Sequence, residues 1–168
     1  MITHERFAVR VSPGELHFNA AHFITFDGTC ENLHGHNFHV LLEARGDNAP
    51  DAYVIDFVRL TRMAVAICRE LHDGVLLPGA SSEVHLREEE CMVHVTSYDK
   101  RFALPAASCI ILPLPNTTAE MLAAHVANRL LQELAAAGAL ANLHTLEVAV
   151  EEADDQWGVC IRELRGND

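Results

Sequence analysis

Alternating apolar and polar residues predict β-strands at both ends of the chain. Residues 7–11 alternate and lead into a Ser-Pro-Gly turn sequence, after which residues 16–21 form a second short strand or continue the first. Residues 38–45 alternate over a longer stretch, with the apolar side chains on one face. Two further strands are predicted at residues 145–152 and 158–164.

Apolar residues at helical spacing predict two helices between these strands. The first follows Asp56, whose carboxylate can cap its N-terminus, and Gly74 ends it. The second opens with a capping box formed by Thr117 and Glu120, and Gly138 ends it.

The segment between the two helices, residues 78–115, alternates in the manner of β-hairpins. The predicted order is therefore ββ-α-α-ββ with a β-hairpin insertion between the helices. This order indicates an α+β fold, in which two helices cover one face of a four-stranded antiparallel sheet. At 168 residues the chain is expected to form one domain, residues 1–168, with the insertion at about 78–115.

Composition and charge narrow the class of partner. The formal net charge of -12 argues against nucleic acid and anionic membranes as partners. No apolar segment reaches the length of a membrane span, and the first residues do not resemble a signal peptide. The five cysteines are an odd number without a Cys-x-x-Cys pair, so we expect reduced thiols in a cytoplasmic protein.

The most informative local motif is His34-Gly35-His36. Residues two apart on an extended chain point to the same side, so both imidazoles face one way. His22 is the natural third ligand, because the small residues before it let a second strand approach closely. Three imidazoles with one open position form the ligand set of a catalytic zinc ion (Zn2+).

Two other interpretations of this motif remain open on the residues alone. The His-x-His sequence can be a polar turn, with His22 an interior histidine whose ring nitrogens form ordinary hydrogen bonds. A cupin site requires a glutamate a few residues after the motif, whereas Glu43 lies seven residues after His36, so that template fits poorly.

Five segments in the same order resemble the 6-pyruvoyl-tetrahydropterin synthase family, which includes the 6-carboxy-tetrahydropterin synthases of the queuosine pathway. The resemblance covers most of the chain apart from residues 78–115. The segments are FxAAH ending at His22, CxxLHGHN beginning at Cys30, VIDF beginning at Val54, NTTAE beginning at Asn116 and VxVxE ending at Glu152.

This resemblance implies the tunnelling fold, in which the sheets of several subunits join into a barrel, usually in a hexamer. It implies zinc on the three histidines and a small pterin substrate. It also implies a cysteine base at Cys30 and substrate binding by Glu152, Thr117 and Thr118. The implied reaction is that of a lyase of tetrahydrobiopterin or queuosine biosynthesis. It converts 7,8-dihydroneopterin triphosphate into 6-pyruvoyl-tetrahydropterin or 6-carboxy-tetrahydropterin.

Residue chemistry supports two of these roles separately. Cys30 lies four residues before His34, so its thiol is expected to reach over the open position of the metal. Glu152 continues the apolar face of its predicted strand, where a carboxylate needs partners, and the N–H groups of a pterin edge would supply a bidentate pair. Glu151 points the other way and is expected to be solvated.

The chain departs from the family pattern at its proton relay. Relatives have Leu-Asp-His after the first helix, whereas this sequence reads Leu71-His72-Asp73. His72 and Asp73 are therefore either an altered catalytic relay or ordinary residues of a helix C-terminus. In addition, Phe23 replaces a residue that is often basic, and the chain has a single lysine, so a triphosphate pocket is not obvious.

These departures leave two alternatives to the triphosphate lyase. One is a homologue that acts on a different, uncharged pterin. The other is a non-catalytic zinc- and pterin-binding protein that has lost the relay.

Overall fold

The computed structural model describes residues 5–164, which form twelve strands and two α-helices. The first half contains β1 (Phe7–Val11), β2 (His17–His22), β3 (Thr25–Phe26), β4 (Thr29–Cys30), β5 (His34–Gly46) and α1 (Phe57–Glu70). The second half contains β6 (Gly74–Pro78), β7 (His85–Glu89), β8 (Met92–Ser97), β9 (Lys100–Pro105), β10 (Cys109–Leu112), α2 (Ala119–Ala136), β11 (Leu143–Ala153) and β12 (Gln156–Glu163).

The main sheet has seven strands and is mixed, which corrects the predicted four-stranded antiparallel sheet. Its order is β10-β6-β2-β5-β11-β12, and β1 also pairs with the long strand β5. Strands β1, β2, β5, β11 and β12 form its antiparallel part. Strands β6 and β10 extend this sheet by parallel pairing beside β2.

The missed strand β6 has a clear physical cause. Its residues Val75, Leu76 and Leu77 form a short apolar run rather than an alternating one. Leu76 and Leu77 are completely buried, and a strand buried on both faces loses the alternation that identifies a half-exposed strand.

The two helices pack on the sheet, and both begin at side-chain caps. α1 lies against β1 and β2, and α2 against β11 and β12. Asp56 caps α1, as predicted, by accepting hydrogen bonds from the backbone N–H groups of Val58 and Arg59. The cap of α2 is Thr118 and not the predicted Thr117, whose buried hydroxyl instead donates to the carbonyl of Phe23 at 2.7 Å.

The segment between the helices forms the expected hairpins as a separate three-stranded sheet, β7-β8-β9. Its inner face packs on a second apolar core that is distinct from the main core between sheet and helices. The buried members of this second core are Phe23, Cys30, Leu77, Val84, Val93 and Val95. Neither helix of the described chain is both long and apolar enough to cross a membrane.

Candidate metal and substrate site

Three imidazole rings meet where strands β2 and β5 pair. His22 ends β2 directly opposite His34, the first residue of β5, and His36 lies two residues further along the same face. The ring centroids of His22 and His34 are 4.7 Å apart, those of His22 and His36 5.2 Å, and those of His34 and His36 4.9 Å. The structure thus brings together the three histidines that the sequence pattern singled out.

A carboxylate from β11 completes this cluster. Glu152 Oε1 lies 2.9 Å from His22 Nε2 and 3.6 Å from His36 Nε2. One ligand atom from each of the four residues lies within 4.8 Å of the others, so these residues could hold a single metal ion. Glu151 faces away, and its carboxylate accepts the backbone N–H of Asp155 in the β11–β12 turn.

Backbone carbonyls determine which nitrogen two of the histidines offer to the site. His22 Nδ1 lies 2.9 Å from the Thr117 carbonyl oxygen, and His34 Nδ1 lies 2.8 Å from the Asn32 carbonyl oxygen. A carbonyl only accepts, so each Nδ1 carries the proton and each Nε2 turns its lone pair toward the cluster. This arrangement is typical of metal-binding histidines, whose second nitrogen donates to an oxygen behind it.

The donor set fits a bound cation. His22 Nε2 is completely buried and makes no hydrogen bond within the described residues, although the Glu152 carboxylate lies close to it. A neutral imidazole lone pair that faces a carboxylate oxygen at this distance is repulsive unless a cation lies between them. Burial lowers the pKa of His36, which favours the neutral form that binds metals. The proximity of the His22 ring lowers the pKa of Glu152, which favours the carboxylate.

Cys30 is not one of the four residues of this cluster, and its expected position over the metal stays a prediction. Cys30 is buried in the second core, beside the hairpin insertion, and this burial raises its thiol pKa. The neighbouring Glu31 is exposed, and its Oε2 lies 4.0 Å from His34 Nε2.

His72 and Asp73 lie just beyond the end of α1, next to β2. His72 Nδ1 accepts the backbone N–H of Asn19 at 3.3 Å, and its Nε2 is 3.5 Å from Asp73 Oδ2. Asp73 lines an open cavity of about 340 Å³ that also contains His36 and Asn37. The carboxylate therefore shares a cavity with a candidate metal ligand, whereas His72 does not line it.

The two threonines act mainly through the backbone and the helix cap. Thr117 is buried and orients His22 through its carbonyl group. Thr118 accepts the N–H of Met121 at the start of α2. No side-chain pattern could reveal the carbonyl of Thr117 as a site group, because every residue has one.

Sequence reasoning also missed Asn32 and Lys100. Asn32 orients His34 through its carbonyl, and its side-chain oxygen accepts a hydrogen bond of 2.8 Å from Lys100 Nζ in the insertion. The sequence feature that could have drawn attention to Lys100 is that it is the only lysine of the chain.

The fold and the site together define an α+β protein with a curled mixed sheet and a His₃Glu cluster that can hold a metal ion. The family described as 6-pyruvoyl tetrahydropterin synthase matches residues 14–163. The chain belongs to this family of tetrahydropterin synthases, which are lyase-type enzymes.

Individual relatives agree with this assignment. The chain is 32% identical over 149 residues to a Methanocaldococcus jannaschii protein provisionally named 6-carboxy-5,6,7,8-tetrahydropterin synthase, covering 88% of this chain and 90% of the relative. It is 30% identical over 121 residues to the 6-carboxy-5,6,7,8-tetrahydropterin synthase of Haemophilus influenzae, covering 69% of this chain and 78% of that relative. The crystal structure of the Plasmodium vivax 6-pyruvoyl tetrahydropterin synthase is similar, with a TM-score of 0.90 and 29% identity, over 96% of this chain and 100% of that chain.

Proposed function

We propose that the protein is a zinc-dependent lyase that acts on 7,8-dihydroneopterin triphosphate. The observation that carries this proposal is the convergence of three imidazole nitrogens and one carboxylate at the β2–β5 pairing, in a chain of the tetrahydropterin synthase family. The names of the curated relatives favour 6-carboxy-tetrahydropterin over 6-pyruvoyl-tetrahydropterin as the product.

His22, His34 and His36 would hold the zinc ion. Neutral imidazole is a preferred zinc ligand, and three protein ligands leave a position for substrate. When bound, zinc supplies Lewis acidity toward the side-chain hydroxyls of the pterin. The carbonyl groups of Thr117 and Asn32 keep two of the ligating nitrogens aimed at the site.

Glu152 would recognise the pterin edge. A carboxylate can accept two parallel N–H groups from the pterin ring, and such charge-assisted pairs give both affinity and orientation. Its closeness to His22 and His36 supports an alternative role as a fourth metal ligand. Thr118, at the N-terminus of α2, and Thr117 would border the same substrate.

Two residues compete for the role of proton acceptor. Cys30 is the base that the family motif implies, but its burial raises the thiol pKa and disfavours the reactive thiolate. A glutamate is a catalytic residue in the Plasmodium vivax synthase, and here Glu31 is exposed beside His34. Either group can remove a proton from the pterin side chain if it lies within hydrogen-bond reach of the bound substrate.

The order His72-Asp73 supports a different substrate as the second candidate. Asp73 rather than His72 lines the cavity next to His36, and a carboxylate is a poorer proton shuttle than an imidazole at neutral pH. An uncharged pterin would also suit a chain with a net charge of -12 and one lysine. A non-catalytic zinc- and pterin-binding protein is the remaining alternative.

Incubation of the zinc-loaded protein with 7,8-dihydroneopterin triphosphate, followed by mass analysis of the pterins, tests the proposal. We expect 6-carboxy-tetrahydropterin or 6-pyruvoyl-tetrahydropterin to form. Loss of product in Cys30→Ala but not in Glu31→Gln identifies the thiol as the base, and the reverse result identifies the carboxylate. Binding of the pterin with no product in any form of the protein would contradict a lyase.

We also propose that the protein works as a cytoplasmic homo-oligomer, most simply a hexamer. The β12 edge strand supports this, because its side chains Trp157, Val159 and Ile161 are between 41% and 54% exposed on the face opposite α2. An uncovered apolar edge strand is a surface that a second sheet can pair with.

A further inference from the structure

The turn between β8 and β9, residues 97–100, packs against the segment that carries Cys30. Cys30 belongs to the same apolar core as Val93 and Val95 of β8. Tyr98 adopts a left-handed backbone conformation (φ 49°), and its hydroxyl donates to Glu83 at 2.9 Å, so this turn has a defined shape. The insertion therefore forms one wall around the thiol.

Ser97 is a buried polar residue of this turn whose hydroxyl lacks a hydrogen-bond partner among the described residues. It is 1% exposed, and its hydroxyl makes no hydrogen bond of standard geometry within the described residues. The same hydroxyl lies near the Cys30 sulfur, where it lowers the pKa of the thiol. A neutral thiol is a weak acceptor and a thiolate is a strong one, so ionisation of Cys30 would give this hydroxyl its partner.

Lys100 connects the same turn to the metal-binding loop. Its Nζ donates to the side-chain oxygen of Asn32 at 2.8 Å, and the Asn32 carbonyl accepts from His34 Nδ1. The ammonium group also lowers the pKa of Cys30 by its positive charge. One side chain of the insertion thus acts on both the thiol and the loop that orients a candidate ligand.

Other groups around Cys30 act in the opposite direction. Burial raises the pKa of the thiol most, and the carboxylates of Asp99 and Glu31 raise it further. Tyr98 also lies close enough for the thiolate charge to raise the pKa of its phenol. The ionisation of Cys30 is therefore a balance in which Ser97 and Lys100 oppose burial and the two carboxylates.

We propose that Ser97 and Lys100 are positioning residues, through which the β8–β9 turn holds Cys30 and stabilises its thiolate. This proposal rests on the proposed function in taking Cys30 as the proton acceptor. It gives the insertion a part in the reaction, since Ser97 and Lys100 both belong to the β8–β9 turn.

The test is the rate at which iodoacetamide alkylates Cys30 in the zinc-loaded protein at about pH 8, read on the peptide that contains Cys30. Below the thiol pKa this rate follows the thiolate fraction, which changes about tenfold for each unit of pKa. We expect Lys100→Met and Ser97→Ala to slow alkylation severalfold, Lys100→Arg to restore it, and Asp99→Asn to accelerate it.

A purely structural role predicts the reverse, because a loosened turn would expose Cys30 and accelerate alkylation. Arg101→Met is the matched control on the adjacent residue, and alkylation of Cys109, which packs in the same core, reports opening of the insertion. Unchanged or faster alkylation of Cys30 in both Lys100→Met and Ser97→Ala would overturn the proposal. Full lyase activity in Cys30→Ala would instead contradict the role of the thiol in the proposed function while leaving these alkylation rates meaningful.

Discussion

At the scale of single residues, the site depends on backbone groups as much as on side chains. The carbonyls of Thr117 and Asn32 fix the protonated nitrogen of His22 and of His34. Both Nε2 atoms then turn their lone pairs toward the cluster. This preorganisation explains how a strand end and a strand start can form one metal site.

Glu152 gives the first prediction at this scale. Glu152→Ala should weaken pterin binding at least about tenfold, because a hydrogen bond to a charged group contributes about 1.5–3 kcal/mol, and zinc should remain bound. Glu151→Ala is the matched control and should change little, since its carboxylate bonds to the β11–β12 turn. Neopterin titration followed by fluorescence, with zinc analysis of each variant, makes the measurement. Loss of zinc in Glu152→Ala would show that this carboxylate is a metal ligand instead.

The exchanged pair His72-Asp73 gives the second prediction. We expect wild type to turn over dihydroneopterin triphosphate slowly, and the double variant His72→Asp/Asp73→His to be about tenfold faster, because imidazole titrates nearer to neutral pH than a carboxylate. Steady-state rates of the two proteins decide the matter. If the exchange only damages a wild type that is already as fast as an Asp-His relative, the altered-relay interpretation is wrong.

The sequence was sufficient to predict where some of these side chains lie in the fold, but not others. The spacing of His34 and His36 and the strand parity of Glu152 can be derived from a period of two, and the structure places both as expected. The burial of Cys30 could not be derived, because it depends on where the insertion packs, and that contact joins residues about 70 positions apart.

At the scale of elements, α2 approaches the sheet closely at Gly158 in β12. A Cβ atom at this position would lie 2.3 Å from backbone atoms of Ala119 and Glu120, at the start of the helix. The N-terminus of α2, with its cap Thr118 and the neighbouring Thr117, is thereby held against the strand. The orientation of His22 depends on this packing through the Thr117 carbonyl.

We therefore predict that Gly158→Ala destabilises the protein by about 1–3 kcal/mol, the usual cost of overpacking. Gly14→Ala should have little effect, because a Cβ there would meet nothing within 4 Å. Thermal denaturation of the two variants at equal concentration provides the comparison. Equal melting temperatures for Gly158→Ala and wild type would contradict the close approach of α2.

The pattern of elements was predictable where strands are exposed on one face and helices carry caps. The alternation in β5 and the cap at Asp56 gave correct elements. Strand β6 was missed because burial on both faces removes the alternation, and the cap of α2 was placed one residue early because two threonines stand in succession.

At the scale of the whole molecule, the edge strand β12 predicts assembly. We expect light scattering to give a mass about six times the chain mass of 18.5 kDa. Ile161→Lys should reduce this mass, because it places a charge on the exposed face of the edge strand. Val58→Lys, on the exposed side of α1, is the control and should leave the mass unchanged. A monomer at micromolar concentration would contradict a barrel of several subunits.

The central claim, a zinc site made by the three histidines, is tested most directly by metal analysis of the purified protein. We predict about one zinc ion per chain in wild type, bound by imidazole nitrogens at about 2.0–2.1 Å in X-ray absorption spectra. The double variant His34→Ala/His36→Ala should lose the metal, whereas His39→Ala/His85→Ala, with both histidines outside the cluster, should keep it. Wild type without zinc, or full zinc retention in His34→Ala/His36→Ala, would contradict the account.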